Sequence, residues 1–325
     1  MYAWAASFTR SAADASVVVA PGARVAQLEG GFYTISGGAA GADGTLYFVD
    51  RHQHRIFSWS QAKGLTIVRH DPVDPVNIAV ARSGDLMVQS SGGPEGTVYS
   101  FNPNGPADRM EVLEPKSSGA HNGAAVVLPV NVWDNGEFAN QLDLETYEYK
   151  TLAQMFAEDV TRVKPKVYVS PDGSLVLPHG RVFRQGPDDN YPGMDATGWR
   201  WSNNLDTYGF ITAMPGQQVY VVSSAENRTY RATLRPDGTL GELHAFAERG
   251  GESVTADSAG NVYVANGQIY VYDRDGREIG RIDVPERPLQ VLFGGADRRT
   301  LFIVAHHTLY AVKMKNAGEP FVFAK

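Results

Sequence analysis

Short runs of apolar residues, separated by polar turn residues, follow one another along almost the whole chain. Most runs contain four to seven residues, are rich in Val, Ile, Tyr and Phe, and end at Gly, Asp, Asn or Pro. Runs this short, bounded by turn residues and enriched in β-branched and aromatic side chains, are typical of strands. Examples are TLYFVD, GDLMVQS, QVYVVS, NVYVA, QIYVYD and TLFIVA. The pattern predicts an all-β protein.

The strands also recur in a fixed order, in which a strand, a tight turn and a more aromatic strand follow one another. A spacing of about 40–45 residues separates successive turns of this kind, apart from one interval about twice as long. The glycines that mark these turns are Gly44, Gly84, Gly173, Gly216 and Gly260. A period of this length with about four strands per unit predicts a β-propeller, in which each sheet forms one blade.

We therefore predict a single propeller over residues 1–325, built of four-stranded blades, with seven blades favoured over six. Six blades with a long insertion at 102–160 are the main alternative. A β-sandwich is a further alternative, but sandwiches rarely keep such a period. The N-terminal stretch ASVVVAPG or ARVAQL is expected to add a strand to the last blade and so close the ring.

The amino-acid composition argues against several classes of binding partner. The net charge of −7 argues against a nucleic-acid partner, which would require a basic face. No apolar run is long enough to cross a membrane, so we expect a soluble protein without a membrane partner. The chain has no cysteine, which excludes disulfides and thiolate metal sites. No signal peptide is visible, which leaves the cytoplasm, the periplasm or secretion after processing open, and the chain could be one module of a longer polypeptide.

The propeller geometry predicts which side chains meet. Because strands within a blade are antiparallel, the start of each first strand and the end of each second strand lie at the same end of the ring. Residues at the starts of first strands are Ser36, Lys166, Tyr208 and Glu252, and residues after second strands include His52, His179, Arg181 and His306. A polar, histidine-bearing opening over an apolar ring predicts a small-molecule site. Glu252 is the strongest candidate, because a carboxylate in a channel is costly without a compensating partner.

Several segments resemble successive blades of the senescence-marker-protein/gluconolactonase family. They include GGFYTISGGAAGADGTLYFVDRHQHRIFSW, GGESVTADSAGNVYVANGQIYVYDRDG and, most specifically, FGGADRRTLFIVA. The resemblance covers about two thirds of the chain and implies a propeller, usually of six blades. It also implies hydrolysis of sugar lactones with one divalent ion bound at the mouth of the channel.

The same resemblance identifies positions at which this chain departs from the family. The family holds its metal with a Glu, an Asn and an Asp, and the matching positions here are Ser36, Tyr208 and Glu252. A calcium-type ion wants several oxygen ligands, whereas a transition ion could use imidazoles. The candidate metal ligands are therefore Glu252, His52, His179 and His306.

Two functions remain open from the sequence. The first is a hydrolase of a sugar lactone or related carbohydrate ester, either with metal assistance or with Glu252 or His179 as general base. Tyr208 and Arg181 or Lys166 would then stabilise the oxyanion, and Ser36 with Trp199 and Trp201 would contact the substrate. Both tryptophans lie in the segment 184–209, which we interpret as a lid. The second function is a non-catalytic propeller that binds a saccharide or a protein and has lost the family metal site.

Overall fold

The protein is described by a computed structural model in which the strands predicted from the sequence are assembled into sheets. The described residues are 15–70, 75–80, 83–90, 98–106, 111–113, 115–117, 125–129, 166–169, 175–177, 180–184, 204–207, 211–213, 216, 218–223, 227–233 and 242–319. Within these ranges the only helical element is a 3-10 turn at Ala15–Val17, and the remaining regular elements are strands. No helix in the same ranges is long and apolar enough to span a membrane.

Three sheets come from the first half of the strand order. Sheet 1 contains β2 (Ile35–Ala40), β3 (Leu46–Asp50), β4 (Arg55–Ser60) and β5 (Gly64–His70). Sheet 2 contains β6 (Pro75–Val80), β7 (Leu86–Ser90), β8 (Val98–Phe101) and β9 (Glu111–Leu113). Sheet 3 contains β10 (Pro115–Ser117), β12 (Lys166–Val169), β13 (Leu175–Leu177) and β16 (Ile211–Ala213).

The remaining strands form three further sheets. Sheet 4 contains β11 (Ala125–Pro129), β14 (Gly180–Arg184), β15 (Asn204–Thr207), β17 (Gln218–Ser223), β18 (Arg228–Thr233) and β19 (His244–Ala247). Sheet 5 contains β20 (Ser253–Ala256), β21 (Val262–Asn266), β22 (Gln268–Tyr272) and β23 (Glu278–Ile282). Sheet 6 contains β24 (Pro288–Gly294), β25 (Thr300–Ala305), β26 (Thr308–Lys313) and the N-terminal strand β1 (Ala26–Gly30).

The sheets are arranged as blades of a β-propeller. The first strands of four sheets lie side by side in the order β6, β2, β24 and β20, as expected for strands that line a common channel. Strand β1 pairs antiparallel with β26, so the two ends of the described chain share sheet 6. The all-β propeller is confirmed. The described strands fall into six sheets, so the count of seven blades is not confirmed and stays a prediction.

The second strand of a sheet is buried on both faces, which explains its continuous apolar sequence. In β3, Tyr47 and Val49 pack against sheet 2. The alternate residues Leu46 and Phe48 pack against Phe302 and its neighbours in sheet 6. Side chains alternate between the two faces of a strand, so a strand between two blades needs apolar residues at every position.

One predicted strand pair is absent from the structure. The sequence ITAMPGQQVYVV suggests a hairpin of β16 and β17, but β16 pairs with β13 in sheet 3. Strand β17 pairs instead with β15 and β18 in sheet 4, so both of its edges are occupied by other strands. The local turn signal in the sequence carries no information about these distant partners.

Four of the five glycines that mark the repeated turns have a positive φ angle, and the fifth, Gly173, lies outside the described residues. In Gly44, Gly84, Gly216 and Gly260 the φ angle lies between 84° and 90°, a region that other residues rarely adopt. Gly44 is also in close contact with sheet 6, because its carbonyl accepts a hydrogen bond of 3.1 Å from the Gly295 N–H. A Cβ atom added at Gly44 would lie 2.2 Å from the carbonyl carbon of Gly295.

We expect Gly44→Ala to lower the free energy of unfolding by about 2–3 kcal/mol, because it combines backbone strain with a backbone clash. Gly84→Ala is the matched control, since Gly84 has the same conformation and no atom of the described residues lies within 4 Å of an added Cβ. The control should cost only about 1 kcal/mol. Urea denaturation of both variants measures the difference, and equal losses would contradict the contact between the two blades.

Candidate active site

One end of the ring collects the residues that precede first strands and follow second strands, and we call this end the mouth. Strand pairing places these positions opposite one another: Ile35 pairs with Asp50, Ser253 with Ala265, and Pro288 with Ala305. The residues just beyond these pairs therefore lie at the mouth.

Glu252 lies at the mouth directly before β20 and is buried. Its backbone N–H donates a 3.0 Å hydrogen bond to the Ala265 carbonyl, which fixes the residue against the end of β21. Its side chain is only 7% exposed. The Oε1 atom accepts a hydrogen bond from the guanidinium of Arg287, whereas the buried Oε2 atom has no hydrogen-bond partner among the described residues. Burial of a carboxylate oxygen without a hydrogen-bond donor is energetically costly.

Arg287 is the counter-ion of this carboxylate and was not predicted from the sequence. It lies directly before β24, just as Glu252 lies directly before β20. Its side chain is 66% exposed, and its guanidinium reaches the buried acid. The Glu252–Arg287 pair is the only hydrogen bond of the Arg287 side chain to described residues, which leaves other N–H donors of the guanidinium open at the mouth.

Two asparagine side chains hold the turn that precedes Glu252. The Asn266 amide donates to the Gly250 carbonyl at 2.5 Å and to the Asn227 side-chain carbonyl at 2.8 Å. The Gly250 N–H donates to the same Asn227 oxygen at 3.4 Å. A Cβ at Gly250 would lie 1.9 Å from the Arg228 carbonyl oxygen, so only glycine fits here. These contacts fix the position of Glu252 between sheets 4 and 5.

Ser36 is buried in β2, where a bulge leaves neighbouring backbone groups without a hydrogen-bond partner in the adjacent strand. The bulge falls between Ser36 and Gly38, and the buried Gln290 side chain from sheet 6 pairs with the freed groups. Its Oε1 accepts from the Gly38 N–H at 2.5 Å and its Nε2 donates to the Gly38 carbonyl at 2.9 Å. Gln290 therefore ties the first strands of sheets 1 and 6 together beside Ser36.

Two of the predicted histidines, His306 and His52, lie at the mouth together with His307. The His306 carbonyl accepts a 2.9 Å hydrogen bond from the Ile35 N–H, and its side chain is exposed. The neighbouring His307 ring is 2.9 Å from a carboxylate oxygen of Glu286. His52 follows β3, and its ring stacks on Tyr33 with centroids 4.6 Å apart.

The side chains of the other predicted site residues are not among those that the structure describes. His179, Tyr208, Trp199 and Trp201 lie outside the described residues, as does most of the segment 184–209. For Lys166 and Arg181 the structure describes only the backbone, in β12 and β14. The roles of these six residues stay predictions.

The described donors do not make up a site for a divalent ion. No three His, Asp or Glu side chains converge within the described ranges, and the fourth predicted ligand, His179, lies outside them. One oxygen of Glu252 is already bound to a guanidinium, whose positive charge would repel a divalent cation beside it. Of the two Glu252 carboxylate oxygens, only Oε2 remains available as a metal ligand.

The opposite end of the ring holds a second buried acid, Asp257, whose carboxylate is fully hydrogen-bonded. Asp257, fully buried in the turn after β20, accepts hydrogen bonds of 2.8 to 3.0 Å from five donors. These donors are the backbone N–H groups of Ala259 and Asn261 and the side chains of Asn261, Tyr263 and Asn316. Burial, together with the Asp257 charge, raises the pKa of the Tyr263 hydroxyl well above its usual range. The Asp257 carboxylate is fully hydrogen-bonded, whereas one oxygen of Glu252 has no partner among the residues that the structure describes.

Comparison with known proteins identifies the family and the fold. The family described as the SMP-30/gluconolactonase/LRE-like region matches residues 38–307. A pentonolactonase of Haloferax volcanii is 43% identical over 56 residues, a stretch that spans 16% of this chain and only 19% of that protein.

Solved structures resemble the chain in fold over nearly its whole length. A gluconolactonase from Xanthomonas campestris has a TM-score of 0.57 and 14% identity, with 93% of each chain covered. Regucalcin from Agrobacterium tumefaciens, a calcium-binding protein, has a TM-score of 0.51 and 13% identity, with 93% of this chain and 96% of that chain covered. At such identities the likeness concerns the fold alone.

The resemblance found in the sequence is confirmed by the family match, which covers most of the chain, from within β2 to just past the end of β25. The protein therefore belongs to the SMP-30/gluconolactonase/LRE-like family.

Proposed function

We propose that this protein hydrolyses the ester bond of a sugar lactone or a related small carbohydrate ester at the mouth of the central channel. The observation that supports this most strongly is Glu252, a buried acid at the mouth with one oxygen that has no partner in the described part of the chain. The membership of a family that includes gluconolactonases supports the reaction class.

In the proposed reaction Glu252 is the general base. Its free Oε2 accepts a proton from a water molecule while the water oxygen bonds to the lactone carbonyl carbon, which gives a tetrahedral oxyanion. The intermediate then collapses with cleavage of the bond between the carbonyl carbon and the ring oxygen. Glu252 returns the proton to the departing alkoxide, and the product is the open-chain hydroxy acid.

A cation beside the base would stabilise the oxyanion. Arg287 is bound to Glu252 and keeps N–H donors open at the mouth, so it supplies a positive charge where the oxyanion forms. Tyr208 and Arg181, with His179, remain candidates for the same stabilisation. Ser36, Lys166, Trp199 and Trp201 remain candidates for contact with the carbohydrate.

A divalent ion is not needed for any of these steps. The regucalcin relative binds calcium, but the described donors here do not fit such an ion, since a guanidinium occupies one side of Glu252. The reaction above therefore uses only protein groups and water.

A panel of aldonolactones, including pentono- and hexonolactones, tests the proposal. We expect turnover above spontaneous hydrolysis, followed as acid release at constant pH, and we expect it to survive treatment with EDTA. Absence of turnover across the panel would contradict the proposal and favour the saccharide- or protein-binding propeller. Turnover lost to EDTA and restored by one metal would instead assign the chemistry to a bound ion.

A further inference from the structure

Tyr33 is an exposed aromatic side chain at the mouth that the proposed reaction does not use. It is 60% exposed, the highest value among the large hydrophobic residues of the described chain. It lies two residues before β2, at the end of the ring that also carries Glu252. A large exposed ring at the same end of the propeller as a candidate active site is suited to contact a ligand there.

The backbone around Tyr33 is fixed on both sides. The preceding Phe32 is buried and packs edge-on against Phe48 and Phe57, each at 5.5 Å between ring centroids. The Phe32 N–H donates to the His307 carbonyl at 3.2 Å, and the Ile35 N–H donates to the His306 carbonyl at 2.9 Å. The exposed ring therefore projects from backbone that is held by two blades.

A single buried acid holds Tyr33 and His52 together. Asp50 is fully buried, and its two carboxylate oxygens accept from the Tyr33 N–H at 3.2 Å and the His52 N–H at 3.1 Å. A third hydrogen bond comes from the Gln53 N–H at 3.0 Å. These bonds bring the two rings into a stacked arrangement, with centroids 4.6 Å apart and planes inclined by 29°.

We propose that the stacked pair of Tyr33 and His52, which we call the aromatic platform, binds the C–H face of a cyclic sugar. One face of the Tyr33 ring is covered by His52, and the high exposure of Tyr33 leaves the remaining surface open to a ligand. The C–H groups of a sugar ring form a weakly apolar face with partial positive charge, which is attracted to the negative face of an aromatic ring.

The fixed geometry makes such binding favourable. A side chain that is already ordered loses little conformational entropy when a ligand stacks on it, so more of the contact energy appears as affinity. Gln53, beside His52, accepts a 2.7 Å hydrogen bond from Arg55 through its amide oxygen. Its amide N–H groups have no partner among the described residues and are suited to a sugar hydroxyl. An apolar face with a polar group at its edge is the usual composition of a carbohydrate site.

The platform deepens the proposed function, since it rests on a carbohydrate ligand at this mouth, but its test does not require turnover. The probe is methyl β-D-glucopyranoside, which keeps a closed ring and cannot be hydrolysed by a lactonase. We expect saturation-transfer NMR to show magnetisation passing from protein aromatic protons to the ring C–H protons of this sugar. Tyr33→Ala should reduce the transfer at least fivefold, and Tyr33→Phe should keep it, because the ring rather than the hydroxyl makes the contact.

Kinetics on an aldonolactone that the protein hydrolyses give a second readout. Tyr33→Ala should raise KM about 5–10-fold and change kcat less than twofold, as expected for a contact made equally in the ground state and the transition state. Ile67→Ala is the matched control, because Ile67 is 39% exposed on the outer strand β5 of the same blade. This control should change neither readout.

In the binding experiments, three outcomes would overturn the platform. They are no transfer to the sugar in the unmodified protein, equal transfer in Tyr33→Ala, or Tyr33-dependent binding of tetramethylammonium without binding of the sugar. If Tyr33→Ala leaves KM unchanged while lactone turnover persists, the platform fails and the proposed function stands. Sugar binding that depends on Tyr33 in a protein without turnover would support the platform and contradict the hydrolase.

Discussion

Replacement of Glu252 by glutamine is expected to lower kcat for lactone hydrolysis by about 10²–10⁴-fold, because the amide cannot accept the proton from water. The melting temperature should stay unchanged within about 3 °C or rise slightly. The carboxylate that is removed is buried with one oxygen unpartnered, so the native state loses an unfavourable group. The partner left behind, Arg287, is 66% exposed and can be solvated.

The control for this variant is Glu286→Gln. Glu286 also lies at the mouth, and its carboxylate contacts the exposed His307. The Glu286→Gln variant should keep kcat for lactone hydrolysis within about twofold of the value for the unmodified protein. Retained turnover in Glu252→Gln would contradict the assignment of the base. A large loss of stability in the same variant would mean that the acid at 252 is structural.

Replacement of Asp257 by alanine is expected to lower the free energy of unfolding by about 3–5 kcal/mol, because it leaves several buried donors without an acceptor. The carboxylate is fully buried and accepts hydrogen bonds from Tyr263, Asn316 and the turn that follows β20. Urea or thermal denaturation followed by circular dichroism measures the loss. If the variant does not fold, Asp257→Asn, which keeps part of the acceptor capacity, should fold with an intermediate loss.

Asp273→Ala is the matched control for Asp257. Asp273 stands at the matching position of the turn between β22 and β23, and its Oδ1 accepts two backbone hydrogen bonds of 2.9 Å, as the Oδ1 of Asp257 does. These bonds are exposed and no tyrosine adds to them, so the loss should be about 1 kcal/mol. Equal losses for the two variants would show that the side-chain donors around Asp257 contribute nothing.

Much of the fold was predictable because its signals are local. A strand between two blades needs apolar residues on both faces, and the tight turns need a glycine with positive φ, so both features recur in the sequence at the blade period. The pairing of β16 with β13 was not predictable in this way. Which edge a strand offers to a distant partner depends on the whole ring, and no residue near β16 encodes it.

The position of Glu252 at the mouth also followed from antiparallel pairing, since Ser253 opposite Ala265 puts residues 252 and 266 at one end. Arg287 was missed, although the same rule identifies it as the residue before the first strand of sheet 6. Tyr33 was missed for another reason. It stands beside the buried Phe32 in an aromatic stretch, and only the structure shows which of the two rings is exposed.

The pairing of β1 with β26 has a consequence for biosynthesis. Strand β1 ends at Gly30 and its partner begins at Thr308, so about 280 residues must be translated before the two can meet. At about 5–20 residues per second the ribosome needs on the order of 15–60 s for this stretch. During that time β1 is an unpaired edge on the nascent chain. Its short length and its polar residues Gln27 and Glu29 are features that discourage pairing with other nascent chains until its own partner emerges.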